Sequence, residues 1–309
     1  MIQSTKKIVA CLPLFGILTA CGGGSSTPDT APIMAEEDEG EQIPNHVLIS
    51  DIPYGKTAQN TLDIYQPLGN CDSKRTTVFF VHGGGFRSGD KVGSAVSDRA
   101  SASNSKGFNF VSINYRLERD EPVLSPEFQA LYADIVSQNA PDDPENKNAE
   151  IAALEDSVDA LNFLAAHQDE YCLDVDRLAF WGSSAGATNI LSLAYSMDQF
   201  GVSRPEPAVV INYWGDLRSD DHLDAMETPF LTIHADADLS IDYQAAIDLT
   251  DRATAVGVPF AFYIDVGGGH NVDTSQTVNG VSLLDLTVNF IDAHVSGGSP
   301  VYELSLIHI

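Results

Sequence analysis

The pentapeptide Gly182-Ser183-Ser184-Ala185-Gly186 is where covalent chemistry could begin in this sequence. A serine hydroxyl is a poor nucleophile until a base takes its proton and a third group holds that base. The apolar run Leu178–Trp181 before the pentapeptide reads as a buried strand. Ala185, Ala187, Ile190, Leu191 and Leu193 after it read as one helix. A G-x-S-x-G turn requires that strand-to-helix context. A Cβ at either glycine would strike the neighbouring strand or helix, and the strained turn holds the serine hydroxyl clear at the positive end of the helix. Ser184 is therefore the candidate nucleophile.

A base must come from the eight histidines. His46 and His167 read as surface residues, His222 lies in an acidic segment, His294 ends the last helix and His308 lies in the tail. His82, His234 and His270 remain. His270 follows Val266-Gly-Gly-Gly269 directly after a strand, so an adaptable loop can carry its ring over the carboxyl edge of a sheet, where ligands bind. Pro229-Phe-Leu-Thr-Ile-His-Ala-Asp-Ala-Asp238 places two carboxylates just past another buried strand. Asp238 is the first choice for orienting His270 and Asp236 the reserve, the other carboxylate capping the turn or the next helix.

Negative charge developing on a carbonyl oxygen needs backbone donors. His82-Gly-Gly-Gly-Phe86 follows an apolar strand and frees the N–H groups of Gly84 and Gly85, with that of Ala185 completing the set. Each such donor lowers the barrier by about 3 kcal/mol. His82 is expected to stabilise its own loop. Phe86, Trp181, Tyr213 and Trp214 could line an acyl or alcohol pocket, with core packing as the alternative for each. No metal or cofactor is expected, since neither H-E-x-x-H nor a Cys/His ligand cluster occurs.

The elements that must position these residues alternate. Strands are expected at Val47–Ile52, Thr61–Tyr65, Thr76–His82, Phe108–Tyr115, Leu178–Trp181, Ala208–Tyr213, Pro229–His234 and Phe260–Val266. Helices are expected at 94–106, from Glu150, after Ser184, at Tyr243–Val256 and at Leu283–His294. Such alternation predicts a mostly parallel sheet covered on both faces. Between Leu117 and Asn148 lies an insertion with one short amphipathic helix around Phe128–Ile135, broken by Ala140–Pro144 and suited to a lid or pocket wall.

In that order, strand–H-G-G-G-F, strand–G-x-S-x-G–helix, strand–H-A-D-A-D and G-G-G-H resemble the α/β-hydrolase family over about Val47–Val295. The nearest branch is the carboxylesterases similar to hormone-sensitive lipase and to bacterial feruloyl or acetylxylan esterases. Asp51-Ile-Pro-Tyr-Gly and Leu62-Asp-Ile-Tyr-Gln-Pro67 resemble the same branch. The resemblance implies the α/β-hydrolase fold with a small lid-like insertion, and a serine carboxylesterase acting through an acyl-enzyme on short acyl esters or acyl groups on plant or algal polymers. Amide hydrolysis by an arylformamidase or serine exopeptidase, and a non-catalytic surface-binding module, are the alternatives. Ser183, Ala187 and Ala235 stand where relatives of hormone-sensitive lipase usually carry Asp, Gly and Gly.

The chain of 309 residues carries a net charge of −28, which repels nucleic acid and anionic lipid headgroups as partners. Residues 1–21 read as an export signal, with Lys6 and Lys7 before the apolar Ile8–Leu18. Leu18-Thr-Ala-Cys21-Gly22 resembles the lipobox of bacterial lipoproteins. The resemblance implies a lipidated Cys21 and an outer-membrane anchor. Residues 22–44 read as a disordered acidic tether and 45–296 as one catalytic domain. The tail 297–309 ends in Leu304-Ser-Leu-Ile-His-Ile309, which a common transposase sequencing adapter encodes, so it is assigned no role. Cys71 and Cys172 each precede an apolar strand by six residues. If those strands are parallel neighbours, the two cysteines meet at the non-catalytic edge and can form a disulfide in an oxidising compartment. Two separate buried thiols are the alternative.

Overall fold

Alternation within single strands sets the architecture. The computed structural model describes residues 45–136 and 143–308, so the export signal at 1–21 with Cys21 and the whole of the tether at 22–44 lie outside the described residues. In β3 (Arg75–Val81), Phe79 and Val81 turn into one buried cluster while Val78 and Phe80 turn into another. A strand buried on both faces belongs in a parallel sheet between two helical layers. β4 (Asn109–Ile113) and β5 (Leu173–Ser183) flank β3 in parallel, and the sheet continues from β5 through β6 (Val209–Tyr213), β7 (Phe230–Ala235) and β8 (Phe260–Val266). On the other side β2 (Thr61–Pro67) runs antiparallel to β4, and β1 (His46–Pro53) antiparallel to β2.

α1 (Ser94–Ser105) and α6 (Leu283–Val295) cover one face, with Val96, Ala100, Leu283 and Ile291 packed on Phe80, Trp181 and Ile211. The opposite face is covered by α3 (Pro144–Ala166), α4 (Ala185–Tyr195) and α5 (Gln244–Val256). α2 (Pro126–Val136) packs there through Phe128 and Leu131.

α3 starts earlier than the sequence suggested. Pro144, read as a breaker, occupies the first turn of the helix, where a missing N–H costs nothing. Asp143 caps it, its carboxylate accepting the Asn146 N–H at 3.2 Å. The early start carries Asn146 to the catalytic edge.

Cys71 and Cys172 form a disulfide, with Cα atoms 5.9 Å apart, across the parallel neighbours β3 and β5. The hairpin of β9 (Thr277–Val278) and β10 (Val281–Ser282) precedes α6. Part of the tail set outside the domain joins the sheet: β11 (Leu304–His308) pairs in parallel with β8, burying Ile307. An open sheet edge offers unpaired N–H and C=O groups to any strand-forming segment, and the alternating Leu-Ser-Leu-Ile-His fits that role. Among the described residues no helix is long and apolar enough to cross a membrane.

Candidate active site

The turn between β5 and α4 is as tight as the motif demands. A Cβ on Gly182 would lie 2.3 Å from the Gly186 carbonyl oxygen, and one on Gly186 would lie 2.1 Å from that of Val81 on β3. Ser184 is left at φ 53° and ψ −125°, a conformation that costs on the order of 1–3 kcal/mol and is held by surrounding packing. Its N–H donates to the Tyr213 carbonyl at 2.9 Å. Phe86, Trp214 and Asn271 also have positive φ, at 59°, 45° and 67°, so strained backbone gathers around this one edge of the sheet.

His270 and Asp238 converge on that serine from the loops after β8 and β7. His270 Nε2 lies 2.8 Å from Ser184 Oγ, and His270 Nδ1 lies 2.7 Å from Asp238 Oδ2. The carboxylate accepts Nδ1–H, which leaves Nε2 free to accept the serine proton. Burial pushes the Asp238 carboxyl up, but hydrogen bonds from His270 and the N–H groups of Ser240 and Ile241 outweigh it and hold the carboxyl below its ordinary value. His234 stands behind the carboxylate, with Nε2 3.4 Å from Asp238 Oδ2 and donating to the Ile241 carbonyl at 3.0 Å. Burial lowers the His234 pKa and keeps its ring neutral. Asp236, the reserve, does not reach His270; it accepts the Gly267 N–H at 2.6 Å and fixes the loop that carries it.

The glycine loop lies directly on the nucleophile turn. Gly84 has φ +121°, and a Cβ there would come 2.0 Å from the Ser88 carbonyl oxygen, so only glycine fits. Among the described residues no hydrogen bond uses the N–H of Gly84, Gly85 or Ala185. Ala185 opens α4, where the first-turn N–H groups have no helical acceptor. His82 stays out of the reaction path: buried and stacked on Tyr115 at 4.4 Å, it donates Nδ1–H to the Gly83 carbonyl at 2.7 Å.

These groups surround a cleft of about 580 Å³, lined by Gly83, Gly84, Gly85, Phe86, Ser184, Ala185 and His270. Sequence reasoning missed Gly83, Thr188, Asn146 and Arg218 on its walls. Asn146 Nδ2 donates to the Gly85 carbonyl at 2.7 Å, so the insertion braces the glycine loop. Arg218 is bound by Glu150 at 2.8 Å and Asp216 at 2.8 Å; burial opposes its charge, but the two carboxylates hold it cationic. Of the proposed aromatic lining only Phe86 belongs to this cleft. Trp181 is a correction. It is fully buried on the α1 side of the sheet among Phe80, Phe110 and Tyr213, because consecutive strand residues face opposite layers. Trp214 lines a neighbouring cavity instead, its ring 6.3 Å from that of His270. Among the described residues no group of three His, Cys, Asp or Glu side chains could hold a metal ion.

Residues 62–135 match the BD-FAE family. No curated protein matches the sequence. A truncated carbohydrate esterase from gut microbiota has a similar structure, with a TM-score of 0.62 at 14% identity over 82% of this chain and 98% of that one. An α/β hydrolase from a Medee basin deep-sea metagenome library gives 0.59 at 18% identity over 82% and 100%. Thermogutta terrifontis esterase 2, phosphorylated by paraoxon, gives 0.61 at 14% identity over 84% and 97%. The strand order, the Ser184 turn and these likenesses together make this chain an α/β-hydrolase by fold.

Proposed function

We propose that the chain is a serine ester hydrolase. The observation that carries the reading is the unbroken relay from Ser184 Oγ through His270 to Asp238, at 2.8 Å and 2.7 Å. Ser184 attacks the ester carbonyl as His270 Nε2 takes its proton. The N–H groups of Gly84, Gly85 and Ala185 receive the oxyanion. His270 then returns the proton to the departing alcohol, and Asp238 stabilises the imidazolium throughout. Water attacks the acyl-enzyme with His270 again as base.

The substrate proposed is a short acyl ester on a hydroxylated carrier such as a plant or algal polymer. Phe86 and Ile241 are the large apolar side chains among the lining residues, and so little apolar wall supports a short acyl group. The neighbour named a carbohydrate esterase supports the carrier. A lipid anchor at Cys21, holding the enzyme at the outer membrane, is part of the same proposal and rests on the lipobox-like Leu18–Gly22. Labelling of cells with a fatty-acid probe tests it, with Cys21→Ala expected to remove the label.

Hydrolysis of p-nitrophenyl esters from acetate to laurate, beside matched anilides, tests the activity. Fastest turnover of acetate or butyrate is expected. Preference for the anilides would make the enzyme an amidase, and turnover of neither would leave a binding module.

A further inference from the structure

Arg99 is a buried cation that forms no salt bridge among the described residues, although the charge of Asp98 reaches it. It is 6% exposed, and its guanidinium lies 5.4, 5.7 and 5.4 Å from the ring centroids of Phe80, Trp181 and Tyr213. Those ring faces offset part of the lost hydration but accept no hydrogen bond along the guanidinium edge. Its one hydrogen bond among the described residues runs from Nη1 to the Ala95 carbonyl at 2.7 Å, and Nε is buried without a partner. The indole N–H of Trp214, a residue 3% exposed, is likewise buried and unbonded. Buried donors are nearly always matched by acceptors in native proteins, so two in one place call for an explanation.

Both residues line one cavity of about 360 Å³ that shares Gly83, Ser183 and Asn271 with the cleft. Asp98 and Asp273, both exposed, line it as well. The cavity therefore sets the buried Arg99 cation beside two exposed carboxylates. A simple anion would satisfy Arg99 and be repelled by the two carboxylates. A neutral polyol would satisfy the carboxylates and leave the guanidinium uncompensated. A molecule carrying both a carboxylate and hydroxyl groups answers Arg99 and both aspartates.

We infer that this cavity binds a hydroxylated carboxylate, a sugar acid or other hydroxy acid, with its carboxylate on the Arg99 guanidinium and its hydroxyls donating to Asp98 and Asp273. Its shared wall with the Ser184 turn would set such a group beside the reacting ester. Binding of the free acid needs no turnover, so the inference can fail while the esterase reading stands, and the reverse.

The test is calorimetric titration of the full chain with sodium D-glucuronate at constant ionic strength, beside glucose and sodium acetate. Saturable glucuronate binding is expected, with glucose and acetate weaker by about tenfold or more, as for loss of a hydrogen bond to a charged group. Arg99→Met should weaken glucuronate by about tenfold or more. Arg99→Lys, which keeps the charge over the rings, should weaken it less than Arg99→Met. No saturable glucuronate binding by the wild type, or equal binding of glucose, would overturn the inference. So would unchanged glucuronate affinity in Arg99→Met shown to be folded by circular dichroism.

Discussion

Gly83 packs so closely on Ser184 that a methyl group added to it would lie 3.1 Å from Ser184 Cβ and 2.8 Å from the Ser183 carbonyl oxygen. The loop that offers the oxyanion donors is thus seated on the nucleophile turn itself. Gly83→Ala must push the two apart. A misplacement of about 1 Å costs on the order of 100-fold in rate, so kcat/KM on p-nitrophenyl acetate should fall by roughly that factor. Wild-type kinetics in this variant would show that the loop does not set the geometry.

The two carboxylates after β7 separate by role. Asp238→Asn should lower kcat by about 10⁴, because the amide disfavours the His270 tautomer that accepts the serine proton. Asp236→Ala removes an acceptor from the Gly267 N–H, with an expected cost of about 1 kcal/mol in stability and a far smaller loss of kcat than Asp238→Asn. Steady-state kinetics with thermal melts of both variants check the assignment, and a reversed pattern would exchange the two aspartates.

Asp220 makes the fold weaker at neutral pH. Burial, then the charges of Asp216, Asp248 and Asp221, push its carboxyl up from 3.8 to about 6, with Arg252 opposing. Below 3.8 folded and unfolded states both hold the proton and no penalty exists. Above about 6 both are ionised and the folded state bears the whole penalty. Asp220→Asn should therefore raise Tm at pH 7, and the gain should shrink as pH falls from about 6 towards 3.8. A gain that is independent of pH would contradict this origin.

The Cys71–Cys172 disulfide joins residues 101 apart in sequence. Closing so long a loop in the unfolded chain contributes up to about 4.7 kcal/mol on the chain-entropy account. Cys71→Ser with Cys172→Ser should lower Tm by several degrees under oxidising conditions, and reductant should lower the wild type to match. Equal melting of all three would remove the bond from the stability of the fold.

What could be read from the sequence was whatever glycine, proline-free strands and chain order dictate locally. Ser184, His270 and Asp238 each follow a buried strand, so parallel strands had to bring them to one edge. Trp181 was left open between pocket and core because nearness in sequence to Ser184 competes with strand alternation, and alternation sends it to the opposite layer from Phe180. The start of α3 was missed because Pro144 fits both a break and a first turn; the Asp143 cap was the available signal. Asn146, Arg218 and Arg99 had no local signal at all. Their places depend on how α1, α3 and the loop after β6 pack on the sheet, which no spacing along the chain records.

The central claim, that Ser184 is the nucleophile, is met most directly by treating the protein with paraoxon and locating the adduct by peptide mass spectrometry. Attack by Ser184 Oγ on phosphorus expels p-nitrophenolate and leaves a diethylphosphoryl ester. The expected result is stoichiometric modification of the peptide carrying Ser184, complete loss of p-nitrophenyl acetate hydrolysis, and neither adduct nor activity in Ser184→Ala. A wild-type protein that hydrolyses the ester with Ser184 unmodified, or a Ser184→Ala variant that retains the activity, would contradict the account.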